Sequence, residues 1–75
     1  MAKTDPILRA FGCRLKQNRE LKGLTQESLA EKAGLDRTYL SDIERGTRNP
    51  GIRNVITIIG ALGIPPSDFF GGWSQ

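Results

Sequence analysis

Histidine is absent from the 75 residues, and cysteine, tryptophan, tyrosine and methionine occur once each. A single cysteine closes no intramolecular disulfide. With no histidine beside it, a Cys/His zinc site is excluded. So are a catalytic His pair and a Cys–His dyad. No metal, cofactor or small-molecule ligand is implied, and without a nucleophile–base constellation the chain does not read as an enzyme. No uncharged run is apolar enough to span a bilayer, and the N-terminus lacks an apolar core of signal-peptide type. These absences point to a reduced, cytoplasmic module away from membranes.

Apolar residues make up 37% of the chain, enough for one small core and not for two. Residues 1–75 are therefore expected to form a single domain. Eleven Lys and Arg against eight Asp and Glu give a net charge of +3, which suits a polyanionic partner. Gly23, Gly34, Gly46, Pro50–Gly51, Gly63 and Pro65–Pro66 cut the chain into short pieces. None alternates apolar with polar residues, and most carry apolar residues at helical spacing. The pattern predicts an all-α domain of five helices.

The first helix is expected from about Pro6 to Lys22, capped by Asp5, with Leu8, Phe11 and Leu15 on one face and Gly23 as the stop. The second follows Thr25 as cap, buries Leu29, Ala30 and Ala33, and ends at Gly34. Asp36 caps the third, which turns Leu40 and Ile43 inward and ends at Gly46. The fourth spans Ile52 to Leu62. Its expected core stripe is Ile52, Val55, Ile59 and Leu62, with Ile56 and Ile58 beside or beyond it. β-Branching leaves a strand open here, although length and surroundings favour helix. A short fifth helix, Pro66 to Phe70, is anchored by Phe69 and Phe70, and Gly71 to Gln75 reads as a loose tail.

The functional pattern lies in residues 26–45, QESLAEKAGLDRTYLSDIER. Two short helices, a glycine turn and a second helix with a polar outer face make a helix-turn-helix. Arg37, Thr38, Ser41 and Asp42 then occupy the part of that second helix that can meet base edges in a major groove. Arg37 suits guanine or a phosphate, Thr38 a thymine methyl, and Asp42 a cytosine amino group. Phosphate contacts are expected from Thr25 and Gln26 at the positive end of the preceding helix. Thr47, Arg48 and Asn49 in the following basic loop add to them. Arg53 fits either a phosphate contact or a solvated face, and Tyr39 either a core ring or a phosphate contact.

GLTQESLAEKAGL, DRTYLSDIERGTRNP and the IxxVIxIIxALGI run together resemble the lambdoid-repressor (Xre/Cro) helix-turn-helix family over residues 11–70. LDRTYLSDIERGTRNP is most similar to the controller proteins of restriction–modification systems. The resemblance implies a five-helix, lambda-repressor-like, sequence-specific transcription regulator. It would bind a near-palindromic DNA operator as a homodimer and control an operon that includes its own gene. Activation at one occupancy and repression at another is part of that implication. Family positions matching Arg37, Thr38 and Asp42 read bases, and those matching Arg19 and Glu44 form an ion pair joining the first and third helices. A phage or mobile-element Cro-type repressor, an antitoxin, and a protein-interaction adaptor that binds no DNA are the alternatives. Asn18 departs from the family, which usually has an apolar residue there.

The surplus apolar surface on the fourth helix calls for a cover. Residues 56–70 are the expected dimerisation region, with Ile56, Ile64, Phe69 and Phe70 in the interface. Glu27 and Glu31 lie one turn apart on one helix face. They serve as solvated charges or as a contact for RNA polymerase, and matching positions in a phage repressor form its activating patch. Cys13 falls opposite Phe11 and Leu15 and is expected to be partly exposed. Trp73 either packs on the fifth helix or moves with the tail.

Overall fold

The first three helix starts are set by side-chain oxygens. The Asp5 carboxylate accepts from the backbone N–H of Ile7 at 2.8 Å and Leu8 at 3.3 Å, opening α1 (Pro6–Leu21). Pro6 sits in the first turn, where a missing N–H costs nothing. Thr25 and Ser28 cap α2 (Gln26–Ala33) reciprocally: Thr25 Oγ1 accepts from Ser28 N at 3.0 Å, and Ser28 Oγ from Thr25 N at 2.9 Å. Asp36 caps α3 (Arg37–Glu44) through Thr38 N at 2.9 Å. α4 (Gly51–Leu62) has no side-chain cap of its own, but the Asn49 carboxamide oxygen accepts from Gly51 N at 3.1 Å just before it. α5 is a single turn, Pro66–Phe69. The computed structural model describes residues 5–74, and among them there is no strand. The chain is all-α, and the β-branched fourth segment is helical.

The turn between α2 and α3 passes through Gly34 at φ +69°, a left-handed conformation that L side chains rarely adopt. It lets Leu35 N reach back to Ala30 O at 2.8 Å, closing α2 and setting the angle at which α3 leaves. α3 packs on α1 and α2, and α4 bridges α2 and α5. Their shared core holds Phe11, Leu15, Leu29, Leu40, Ile43, Ile58, Ile59, Leu62 and Phe69. The tightest approach is α1 to α3. A Cβ on Gly12 would lie 2.8 Å from the carbonyl carbon of Glu44, so backbone meets backbone there.

Three expectations change. The buried face of α4 is Ile58, Ile59 and Leu62, with Val55 half-buried, while Ile52 is 74% exposed. Ile52 sits in the first turn, at the rim of a cleft between α1 and α4, and projects past the core. Phe69 belongs to the core and is fully buried, its ring 5.2 Å from that of Phe11. It therefore has no surface to offer a dimer partner. The segment after α5 is tied down as far as Trp73. Arg14 Nη1 donates to Phe69 O and Gly71 O, both at 2.8 Å, and its guanidinium lies 5.7 Å from the centre of the Trp73 ring. Trp73 packs edge-on against Phe70. Gln75, the last residue of the expected tail, lies outside the described residues. Cys13 is exposed. Asn18 is half-buried and donates to Arg14 O at 2.9 Å, so it closes the α1 stripe with a backbone bond. No described helix is long and apolar enough to cross a membrane.

Candidate nucleic-acid interface

α3 presents Arg37 and Thr38, both exposed, at its N-terminal end, and half-buried Ser41 and Asp42 one turn further on. The spacing of four puts Arg37 with Ser41 and Thr38 with Asp42 on one side of the helix. Leu40 and Ile43 hold the opposite side in the core.

Arg37 is not a free side chain. Its Nη1 donates to Gln26 Oε1 at 3.2 Å, and Gln26 Nε2 donates to Glu44 Oε1 at 3.0 Å. Glu44 in turn receives Arg19 Nε at 2.6 Å and Nη2 at 3.1 Å, a forked pair buried between α1 and α3. Arg19 Nη1 completes its shell on Leu24 O at 2.8 Å. The ion pair expected of Arg19 and Glu44 is present. The hydrogen bonds that Arg19 donates to Glu44 hold its guanidinium above its ordinary pKa; burial opposes this and the Glu44 charge adds to it. A raised cationic pKa stabilises the fold fully below the unfolded value and is lost only as pH climbs through the folded one. For an arginine both lie far into alkali, so Arg19 stays charged across the working pH range.

Gln26 thus serves as a strut between a buried anchor and an exposed arginine, which its place in the sequence did not suggest. Its backbone N–H and that of Glu27 still occupy the first turn of α2, where a helix leaves donors free for an anion. The Thr25 hydroxyl is engaged in the capping box.

The loop after α3 is ordered by its own side chains. Thr47 Oγ1 donates to Asp42 O at 3.1 Å, and Arg48 stacks on the Tyr39 ring, its guanidinium carbon 5.0 Å from the centroid. Tyr39 is half-buried; its hydroxyl donates to Pro50 O at 3.3 Å and accepts from Asn54 Nδ2 at 2.9 Å. The ring is therefore a platform for the loop. Arg48, Asn49 and Arg53 are exposed along this side. Arg45, which carried no expected role, folds back on α3: Nη1 donates to Ser41 Oγ at 3.3 Å and Nη2 pairs with the Asp42 carboxylate. Its spacing from Ser41 and Asp42, four and three residues, is the one sequence signal for that contact. Asn54 and Arg14 have no such local signal.

Glu27 and Glu31 are exposed on α2. Ile56 is 50% exposed, Ile64 and Phe70 are half-buried, and Ile52 and Ile56 follow one another along one face of α4. Among the described residues no three His, Cys, Asp or Glu side chains gather as a metal site.

Two short helices crossing at a left-handed glycine, with the polar side of the second turned outward, define a helix-turn-helix protein. The helix-turn-helix family model matches residues 15–69. Control protein C.BamHI of Bacillus amyloliquefaciens is 47% identical over 66 residues, 87% of this chain and 82% of its own length. The crystal structure of the restriction–modification controller protein C.AhdI from Aeromonas hydrophila superposes with a TM-score of 0.84 at 44% identity, covering 88% of this chain and 100% of that one. A tetramer of the controller protein C.Esp1396I, solved in complex with its natural 35 base-pair operator, is 41% identical with a TM-score of 0.84, over 88% of this chain and 87% of that one. The chain belongs to the helix-turn-helix family, among the controller proteins of restriction–modification systems.

Proposed function

We propose that this protein is the transcriptional controller of a restriction–modification operon. It binds a near-palindromic operator as a homodimer and regulates its own gene among others. The observation that carries the reading is the outer end of α3. An exposed arginine beside an exposed threonine is held by a strut that runs to a buried ion pair. An arginine braced in this way is suited to bidentate contact with guanine in a major groove. The operator complex of C.Esp1396I supports the same mode of action. The protein acts as a DNA-binding regulator rather than an enzyme, needs no cofactor and works in the cytoplasm.

In this reading Arg37 and Thr38 read bases, with Ser41 and Asp42 beside them. Thr25, Gln26, Thr47, Arg48, Asn49 and Arg53 hold phosphates, and Tyr39 supports Arg48. The dimer forms through Ile56, Ile64 and Phe70, joined by Ile52. It sets two copies of α3 about 34 Å apart, one turn of DNA. Arg37→Ala is expected to cost about 1–3 kcal/mol on the operator and to relax preference at one or two base pairs. Arg48→Ala is expected to weaken all sequences alike and lower the salt slope by about one unit. Selected-site profiles and salt titrations separate the two. An unchanged profile for Arg37→Ala would move that residue to the phosphates.

Glu27 and Glu31 gain nothing for DNA affinity beside phosphates, and they present a negative patch suited to a basic surface of RNA polymerase. Glu27→Gln with Glu31→Gln is expected to bind operator as well as wild type and yet fail to activate transcription in a purified system. Full activation by the double variant would remove the patch from the mechanism.

A further inference from the structure

We propose that Arg45 is a second base-reading residue of α3 and that Ser41 and Asp42 are the positioning residues that aim it. The inference rests on the DNA-binding reading above. Arg45 is the C-cap of α3, and its side chain doubles back along the helix. Ser41 Oγ accepts from Nη1 at 3.3 Å, and the Asp42 carboxylate pairs with Nη2. Those partners stand one turn earlier, so the guanidinium comes to lie beside the strip that carries Arg37 and Thr38. It remains open to a ligand: the Arg45 side chain is 63% exposed and that of Asp42 26%.

Stability does not account for the pair. An exposed ion pair three residues apart on a helix contributes little. A carboxylate in the last turn of α3 also faces the negative end of the helix dipole. Nor does Asp42 help DNA affinity by itself, because a lone carboxylate repels phosphates. Paired, its charge is offset and it becomes a fixed acceptor. Each terminal nitrogen of the guanidinium then holds one protein acceptor, and its second N–H together with Nε–H is left for a two-pronged partner. Holding the arginine in place beforehand also lowers the ordering cost on binding. The matching chemistry is the O6/N7 edge of guanine in the major groove. Arg37 and Arg45 are eight residues apart, roughly 12 Å of helix. The backward fold of Arg45 shortens the gap between the two guanidinium groups by about a turn. Two guanines roughly two base pairs apart in each half-site fit that spacing.

The test uses the full chain as wild type, Arg37→Ala, Arg45→Ala, Arg45→Lys, Asp42→Ala and the Asp42→Ala, Arg45→Ala double variant. Each is taken through site selection from random duplex DNA and titration on the preferred site, with helicity checked by circular dichroism. Arg45→Ala is expected to weaken the preferred site about ten- to hundred-fold and to erase preference at a base pair that Arg37→Ala leaves intact. Arg45→Lys keeps the charge without the fork and is expected to lose preference at that same base pair. Asp42→Ala is expected to flatten it too, and the double variant to bind no more weakly than Arg45→Ala alone. Uniform weakening of every sequence by Arg45→Ala would make it a phosphate contact and overturn the proposal. So would an Asp42→Ala effect confined to a different base pair. If wild type selects a site and Arg37→Ala alters it, either failure strikes Arg45 alone. A wild type without a preferred site overturns both readings.

Discussion

Gly12 shows how much a single residue decides here. It sits inside a helix, where alanine is ordinarily worth up to about 1 kcal/mol more than glycine. On α1, however, the added methyl would drive into the backbone of Ile43 and Glu44. Gly12→Ala is expected to destabilise the fold by about 1–3 kcal/mol, read as a lower urea midpoint with an unchanged slope. Gly60, also helical but with nothing within 4 Å of its Cβ position, is the control; there alanine should be neutral or stabilising. Gly12→Ala as stable as wild type would mean that α1 and α3 separate easily. The requirement at Gly12 was not legible in the sequence, because it comes from an element 31 residues downstream. The caps were legible, since Asp5, Thr25 and Asp36 each act within three residues of themselves. Arg37 and Thr38 were legible as surface positions because the spacing of Leu40 and Ile43 fixes the buried side of α3. The Gln26 strut and the folded-back Arg45 depend on side-chain paths that residue type does not specify.

Among the elements, α4 and the segment after α5 are where spacing and structure part. α4 carries isoleucine or valine at Ile52, Val55, Ile56, Ile58 and Ile59. With apolar residues on nearly every side, periodicity selects no unique face. Which side is buried is decided by where α2 and α5 lie against it. The closing segment looks loose in the sequence because nothing near it anchors it. Its anchor is Arg14, 55 and 57 residues away from the carbonyls it binds. Trp73 reports on that tie directly, being the one tryptophan. Arg14→Ala is expected to release it, giving a red-shifted and more easily quenched emission, with helicity retained. An emission spectrum identical to that of wild type would show that Phe70 alone holds the ring.

At the scale of the whole molecule, charge and symmetry govern the proposed binding of DNA. Exposed Arg37, Arg45, Arg48 and Arg53 follow one another from α3 into α4, enough for attraction but short of selectivity for a long site. The proposed dimer would supply the rest by doubling the readout. Ile52 and Ile56, on the exposed face of α4, are the apolar seam proposed for it. Ile56→Asp is expected to keep the monomer folded, because that side chain is not part of the core, and to raise the dimer dissociation constant by tenfold or more in sedimentation equilibrium. A dimer untouched by that change would place the seam elsewhere. Site selection from random duplex DNA with the purified wild-type chain tests operator reading by a symmetric pair of α3 helices most directly. Enrichment of two inverted copies of one half-site, their centres about 10 base pairs apart, is the expected result. Enrichment of a single uninverted element, or no enrichment above input, would contradict it.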